Sequence, residues 1–129
     1  MKWNPKFEYI HGPRSETQGF RTYDIKGKPL PSVTSILSRT RDQGFLKDWK
    51  KRIGEEEADR IKNHSSKSGT AMHKYLEKYL LGEGYTDATQ IGKEARPMAQ
   101  KIIEAGLRDL DEIWGNEVTL YYPGLYAGS

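Results

Sequence analysis

A stretch of helical periodicity about seven turns long, over residues 55–81, most constrains what this chain can fold into. Apolar and small residues recur in it at intervals of three and four, which places them on one face of an α-helix. They are Ala58, Ile61, Ser65, Ser68, Met72, Tyr75 or Leu76, and Tyr79 or Leu80. Gly54 interrupts the pattern before this stretch, and Gly82 and Gly84 end it. The sequence therefore predicts one long helix.

Three further helices are indicated around it. Ser32 is a credible N-cap for a short helix over residues 31–37, and residues 45–53 continue the helical pattern. The carboxylates of residues 55–57 suit the positive N-terminal end of the long helix, so we interpret them as helix charges. Pro97 fits the first turn of a second long helix, whose apolar positions recur as far as Ile113.

Strand signals occupy the two ends of the chain. Residues 7–10 form a possible strand. Residues 20–25 alternate bulky and polar side chains before a turn signal that contains Gly27 and Pro29, which indicates a strand or half-hairpin. Residues 117–122 are a second β-run, followed by a Pro–Gly turn and a last strand over 125–129. We therefore predict an α+β class in a single domain: irregular and β over 1–30, helical over 31–114, and β over 116–129.

Composition limits the class of protein. The chain has 129 residues, 35% of them hydrophobic, and no cysteine, so disulfides and thiolate metal sites are excluded. Its net charge of +3 leans mildly towards acidic partners such as nucleic acid. Its apolar runs are short and its N-terminus lacks the features of a signal peptide, so we expect a cytoplasmic protein without membrane association.

A histidine and a carboxylate stand four residues apart on the predicted long helix. His73 and Glu77 would project the same way and could both reach a divalent ion or a phosphate. Glu77 could instead pair with Lys74 or Lys78, and we favour such an ion pair over a role as a metal ligand. Gly69 and Thr70 precede the histidine, and a glycine within a helix costs about 1 kcal/mol relative to alanine. Close helix packing and contact with DNA explain this glycine equally well.

Basic residues are concentrated before the long helix. Four cations lie close together in residues 45–53, and a fifth precedes the glycine: Lys47, Lys50, Lys51, Arg52 and Lys67. They could bind DNA phosphates, or they could form a solvated helix face. Trp49 lies among them and could stack on a base, but we predict that it belongs to the core.

Several segments together resemble the PD-(D/E)XK nuclease superfamily. The branch they resemble contains phage exonucleases related to RecB-type nucleases and to the mitochondrial genome maintenance exonuclease. The segments are residues 31–37, 46–58, 68–77, 113–122 and 124–129, and the resemblance runs from about residue 20 to residue 129. It implies the mostly helical N-terminal half of that nuclease fold: two long helices, short N-terminal strands and a C-terminal β-ribbon with an open edge.

The resemblance also implies a catalytic role. His73 matches the histidine that helps to hold a divalent metal beside the DNA path. The family's aspartate and its D/E-x-K pair would follow Ser129, and with His73 they would bind Mg²⁺ or Mn²⁺ for phosphodiester cleavage. We therefore expect no stable metal and no activity unless a second polypeptide supplies those strands. If the resemblance to the phage exonucleases holds, the chain would act in the cytoplasm of a phage-infected bacterium.

Two other functions remain open from the sequence. The chain could be a non-catalytic module derived from such a nuclease, which binds DNA or acts on another protein as an inhibitor would. It could also be a truncated piece without a function of its own. The predicted ribbon would be marginally stable alone, and its open edge would favour a partner chain or self-association. Cleavage polarity and the preference for single- or double-stranded DNA do not follow from the sequence.

Overall fold

The computed structural model describes residues 2–129, which fall into two units. The helical unit comprises Gly44–Asn116 with residues 2–4, and the strand unit comprises Pro5–Gln43 with Glu117–Ser129. Helices and small sheets are both present, so the predicted α+β class is confirmed. In chain order the elements are β1 (Lys2–Trp3), β2 (Arg14–Thr17), β3 (Phe20–Ile25), β4 (Lys28–Pro31), α1 (Val33–Thr40), α2 (Gly44–Ile53), α3 (Glu55–Leu80), α4 (Gln90–Ile102), a π-helical turn (Ile103–Leu107), β5 (Glu112–Ile113), β6 (Leu120–Tyr122) and β7 (Tyr126–Gly128).

The long helix α3 has the predicted position and length. Gly54 separates it from α2 and has φ +90°, in the region that favours glycine. Three glutamates occupy its first turn, and Gly82 with φ +70° follows its end. Periodicity and flanking glycines were therefore sufficient to locate the helix that occupies 26 residues of the chain.

The start of α4 differs from the prediction. The helix begins at Gln90, and Pro97 lies in its interior. Thr89 is the N-cap, since its hydroxyl accepts a hydrogen bond of 3.0 Å from the Gly92 N–H. Asp87 in turn accepts hydrogen bonds from the N–H and hydroxyl of Thr89, at 3.0 and 2.6 Å. This cap outweighs the preference of proline for the first turn, so the prediction that the helix starts at Pro97 was wrong.

The end of the second helix was also predicted wrongly. Regular α4 ends at Ile102, and the backbone continues as the π-helical turn to Leu107. Ile113 does not belong to a helix, because it lies in β5 and pairs with Trp3 of β1 in a parallel two-stranded sheet. The apolar spacing that included Ile113 therefore reflected burial in a strand, where the residue is 7% exposed.

Small side chains form the core of the helical unit. Ala71 and Tyr75 of α3 pack against Ala95 and Ala99 of α4, and each pair is four residues apart on its helix. Tyr75 also contacts Tyr85 edge to face, with ring centroids 4.8 Å apart. Alanine at these positions lets the two helix backbones approach closely.

The strand unit is built on the antiparallel sheet β2–β3–β4. The prediction of a strand over residues 20–25 is confirmed by β3, which pairs on both sides. Lys26 and Gly27 connect β3 to β4 with φ +54° and +81°, as a two-residue hairpin turn requires. Residues 7–10, in contrast, form no strand, so that prediction was wrong.

The C-terminal ribbon packs on this sheet. Ala127 of β7 is completely buried with Tyr23, Ile25 and Leu30, and it forms a parallel bridge with Ser32. The predicted strand over residues 117–122 is shorter, because Glu117 has φ +54° and β6 begins only at Leu120. The ribbon is thus anchored through β7, whereas Leu120 of β6 is 62% exposed.

The short helix α1 confirms the predicted N-cap. The Ser32 hydroxyl accepts a hydrogen bond of 3.0 Å from the Ser35 N–H, and Ser32 is 1% exposed.

Within residues 2–129, no helix is both long enough and apolar enough to cross a membrane.

Candidate functional site

The sequence-predicted metal position lies on the exposed surface of α3. His73 is exposed, and its side chain makes no hydrogen bond or ion pair within residues 2–129. Thr70 stands three residues earlier, so it shares this face. Its hydroxyl donates a 3.0 Å hydrogen bond to the Ser66 carbonyl. The imidazole of His73 is therefore available to a ligand from solvent.

Glu77 has a partner other than His73. Its carboxylate lies 3.0 Å from the Lys74 ammonium, and its side chain is 27% exposed. Lys78 pairs with Glu83 instead, and that hydrogen bond raises the pKa of Lys78. Of the two pairings the sequence allowed for Glu77, the structure selects Lys74. The arrangement favours an ion pair over a two-ligand site for Glu77.

No preformed metal centre is found in the part of the chain that the structure describes. Within residues 2–129, no three or more His, Asp or Glu side chains are grouped so that they could hold a metal ion. The second exposed histidine of α3, His64, has its Nε2 atom 3.2 Å from a carboxylate oxygen of Glu94. His73 and His64 thus differ in whether a carboxylate faces them.

Gly69 is open to its surroundings. A Cβ atom built at this position would meet no atom within 4 Å. Close helix packing was one of two explanations for a glycine here, and the structure excludes it for the described residues. Contact of the α3 backbone with an external ligand remains the other explanation.

The basic residues of α2 do not form one continuous cluster. Three cations share one face of the helix, because Lys50 and Lys51 follow Lys47 by three and four residues. Arg52 lies on a different face, which it shares with Asp48 four residues earlier. All four cations are exposed, and none pairs with a carboxylate within residues 2–129. Lys67 of α3 is likewise exposed and unpaired there. Three lysines on one face are suited to contact successive phosphates.

Trp49 is not a core residue. It is half-buried, and α2 contains no buried residue at all. The other apolar side chains of this helix are exposed, with Phe45 at 76%. The prediction that Trp49 belongs to the core was therefore wrong, because α2 does not bury its apolar stripe.

The strand unit contains a polar cavity that no sequence pattern predicted. Arg21 and Ser35 line it together with other hydroxyl-bearing residues of α1. Ser35 follows the N-cap Ser32 by three residues, and this spacing was interpreted only as a helix start. The contribution of Arg21 was not visible, because it comes from a strand that a helix-start pattern does not include.

Comparisons with known proteins found no match to this chain among family models, curated proteins or solved structures. The function proposed below therefore rests on the sequence resemblance together with the geometry of the residues.

Proposed function

We propose that this chain is the N-terminal part of a metal-dependent DNA exonuclease of the PD-(D/E)XK type, in which His73 is one metal ligand. The observation that carries the proposal is the state of His73. It is exposed on α3 without a hydrogen-bonding partner among the described residues, while Glu77 is engaged by Lys74. A metal ligand must be accessible to the ion, and the exposed imidazole of His73 meets this condition.

The proposed site needs ligands beyond His73. Mg²⁺ and Mn²⁺ prefer several oxygen ligands, and one imidazole is too few to hold them. A second polypeptide would supply an aspartate and the D/E-x-K strand. In the completed site the metal would neutralise charge on the scissile phosphate and activate water for attack. This chain would hold little metal by itself.

The same part of α3 suits the path of a DNA backbone. Gly69 and Thr70 precede His73 by four and three residues, so they lie on its face of the helix. The absence of any atom near the Gly69 Cβ position leaves the helix backbone accessible there. The unpaired cations of α2 and Lys67 would contribute phosphate contacts, whose strength depends on salt.

A nuclease assay tests the catalytic part of the proposal. End-labelled DNA would be incubated with Mn²⁺ or Mg²⁺ and the chain alone, and we expect it to stay intact. A partner that carries the D/E-x-K strand would be sought by affinity capture with this chain, and the pair should then degrade the DNA. His73→Ala should abolish that activity.

The matched control is His64→Ala, which removes the other exposed histidine of α3 and should leave the activity of the pair unchanged. Cleavage by the purified chain alone would contradict the requirement for a second polypeptide. Equal loss in the two histidine variants would contradict the special role of His73.

A second candidate function is non-catalytic binding of DNA. The observation that favours it is the single face formed by Lys47, Lys50 and Lys51, which needs no catalytic group to bind phosphates. A gel-shift titration with single-stranded DNA at several salt concentrations would measure it. Replacing Lys50 and Lys51 by alanine should make the negative slope of log affinity against log salt shallower by about 1.4, at 0.7 per phosphate contact.

Lys26 and Lys28 provide the matched control for this titration. They are exposed in the β3–β4 hairpin, so the double alanine variant removes the same charge from the strand unit. Equal slopes in the two double variants would show that only net charge matters.

An inhibitor-like role, in which the chain docks on another protein, is favoured by the exposed ribbon residues Leu120 and Tyr122. Sedimentation with a captured protein partner would test it, and Leu120→Ser should weaken the complex. Self-association through the same ribbon would appear in the sedimentation of the chain alone. Concentration-independent monomers would contradict self-association.

A further inference from the structure

A small polar cavity lies in the strand unit beside β3 and the first turns of α1. Its volume is about 150 Å³, and its lining residues are Glu16, Gly19, Arg21, Thr34, Ser35 and Ser38. A water molecule occupies roughly 30 Å³ in the liquid, so the cavity has room for a group larger than one water. Of these six lining residues, Glu16 alone carries a negative charge.

Arg21 lines this cavity and has a buried donor without a partner. Its Nε atom is inaccessible to solvent and has no hydrogen-bond partner. A buried polar atom without a partner is unfavourable by about 1–3 kcal/mol, and a charged group by more. A ligand in the cavity cannot reach this Nε atom in the observed conformation, so the partly exposed guanidinium offers it the Nη groups.

Ser35 brings a second donor. Its hydroxyl oxygen accepts hydrogen bonds from the Arg21 N–H and from the Ser32 hydroxyl, both at 2.9 Å. Two accepted bonds use the two lone pairs of a serine oxygen, so the Ser35 hydroxyl is left as a donor only. Ser35 is 8% exposed, and no acceptor for this proton is found within residues 2–129.

The Arg21 backbone and the Ser35 side chain are held in place before any ligand arrives. The Arg21 N–H is bound by Ser35, and the Arg21 carbonyl accepts a bond of 2.9 Å from the Ser32 N–H. Strand β3 and the start of α1 are thus joined on both sides of the Arg21 backbone. A site that needs little rearrangement loses little free energy to ordering when it binds a ligand.

Glu16 is the one opposing charge. Its carboxylate lies 3.7 Å from the Arg21 Nη2 atom, and the two side chains are 54% and 33% exposed. This distance is longer than a hydrogen bond, and exposed ion pairs of this kind contribute little. Glu16 therefore competes weakly with an incoming anion for Arg21.

From these observations we propose that the cavity binds one terminal phosphate group, as a phosphate monoester or free phosphate. A guanidinium and hydroxyl donors match the oxygens of phosphate, and arginine is suited to recognise it with two parallel bonds. The Ser38 hydroxyl makes no hydrogen bond with residues 2–129 and is a further donor at the cavity wall. The proposal concerns the strand unit and does not depend on a metal at His73.

Titration of the full chain with inorganic phosphate tests the site. Nitrogen-15 NMR would follow the Arg21 Nε–H and the Ser35 amide signals. We expect saturable shifts with a dissociation constant in the millimolar range or tighter. Arg21→Lys keeps the charge but removes the planar guanidinium, and it should weaken binding about tenfold through the loss of one charge-assisted hydrogen bond.

Two further variants separate the site from general charge. Glu16→Gln removes the competing carboxylate and should raise affinity about twofold to fivefold. Arg39→Lys is the matched control, because Arg39 is a cation of α1 that stacks on Phe20, 4.4 Å from its ring centre. It should leave phosphate affinity unchanged. Absence of saturable shifts, or equal weakening by the Arg21 and Arg39 variants, would overturn the proposal.

Two ligands distinguish the source of the phosphate. An oligonucleotide with a 5′-phosphate and the same oligonucleotide with a 5′-hydroxyl would be titrated in parallel with inorganic phosphate. If the 5′-phosphorylated oligonucleotide binds more tightly than inorganic phosphate, the site recognises nucleic-acid ends. If the phosphorylated oligonucleotide and inorganic phosphate bind with equal affinity, the site recognises small phosphates. Equal affinity for both oligonucleotides, insensitive to Arg21→Lys, would contradict a terminal-phosphate site.

Discussion

The helical unit and the strand unit build their cores from side chains of different size. Three of the four residues in the buried cluster where α3 meets α4 are alanines. The strand unit uses Tyr23, Ile25 and Leu30 around the single alanine Ala127. Close helix approach leaves no room for added atoms, whereas large side chains leave a cavity when they are shortened. We therefore expect the helical unit to be sensitive to enlargement and the strand unit to truncation.

The largest expected effect is truncation in the strand unit. Leu30 is 5% exposed in the core, so Leu30→Ala should lower the free energy of unfolding by about 2–4 kcal/mol through lost burial and a cavity. Urea unfolding followed by the NMR signals of residues 20–31 measures it. The control is Leu120→Ala, since Leu120 is 62% exposed and its truncation should cost little. Similar losses in both variants would break the comparison.

Enlargement in the helical unit comes next. A Cβ atom on Gly92 would lie 2.6 Å from the backbone oxygen of Asp87, and backbone cannot yield cheaply. Gly92→Ala should therefore lower the free energy of unfolding by about 1–3 kcal/mol. All three tryptophans, Trp3, Trp49 and Trp114, lie in the helical unit, so their fluorescence reports on it during urea unfolding. A neutral result would show that the loop before α4 adapts.

A smaller effect is expected at the cap of α4. Thr89→Ala removes the bond to the Gly92 N–H and the hydroxyl donor to Asp87, and should cost about 1 kcal/mol of stability. Thr89→Ser keeps the hydroxyl and is the control in thermal unfolding. A loss equal in both variants would point away from the hydroxyl.

The same cap has a pH dependence with a defined sign. The Thr89 hydroxyl and N–H lower the pKa of Asp87 below its ordinary 3.8. The stability that the ionised Asp87 carboxylate contributes is fully present above its ordinary pKa of 3.8. This stability is lost as the pH falls through the lowered pKa of Asp87 in the folded chain. In Thr89→Ala the pKa of Asp87 should rise, measured by titration of its carboxyl carbon. An unchanged pKa would contradict the assigned cause.

The smallest change is a gain in stability. Gly69→Ala adds a methyl group where no atom lies within 4 Å, so it should stabilise α3 by up to about 1 kcal/mol. This variant also sharpens the comparison of the two units, because it enlarges a residue of the helical unit without adding atoms to the core. If DNA approaches the helix backbone here, DNA affinity should fall in this variant while thermal stability rises. Reduced stability would show that Gly69 is tightly packed after all.

Prediction from the sequence succeeded where a signal is local. The period of α3, the alternation in β3 and the Ser32 cap each depend on residues within a few positions of one another, and all three are confirmed. It failed for α4, where the preference of Pro97 for a first turn was weaker than the Thr89 cap. It also failed for Trp49, since helical spacing indicates a stripe but not whether another element covers it.

For the candidate site, the sequence identified His73 but not its surroundings. Lys74 and Lys78 were equivalent partners for Glu77 by spacing, and only the side-chain placement shows that Lys78 is engaged by Glu83. The openness of Gly69 is likewise invisible in the sequence, because it depends on which elements pass nearby.

By itself the sequence determined the α+β class, the position of the long helix and the presence of His73 on it, because periodicity and capping act over a few residues. Only the tertiary structure decided that Ala127 is buried with residues 23–30 and that Arg21 faces Ser35. Those contacts join distant or separate segments. Their formation depends on how strands and helices pack together, which no short-range pattern specifies.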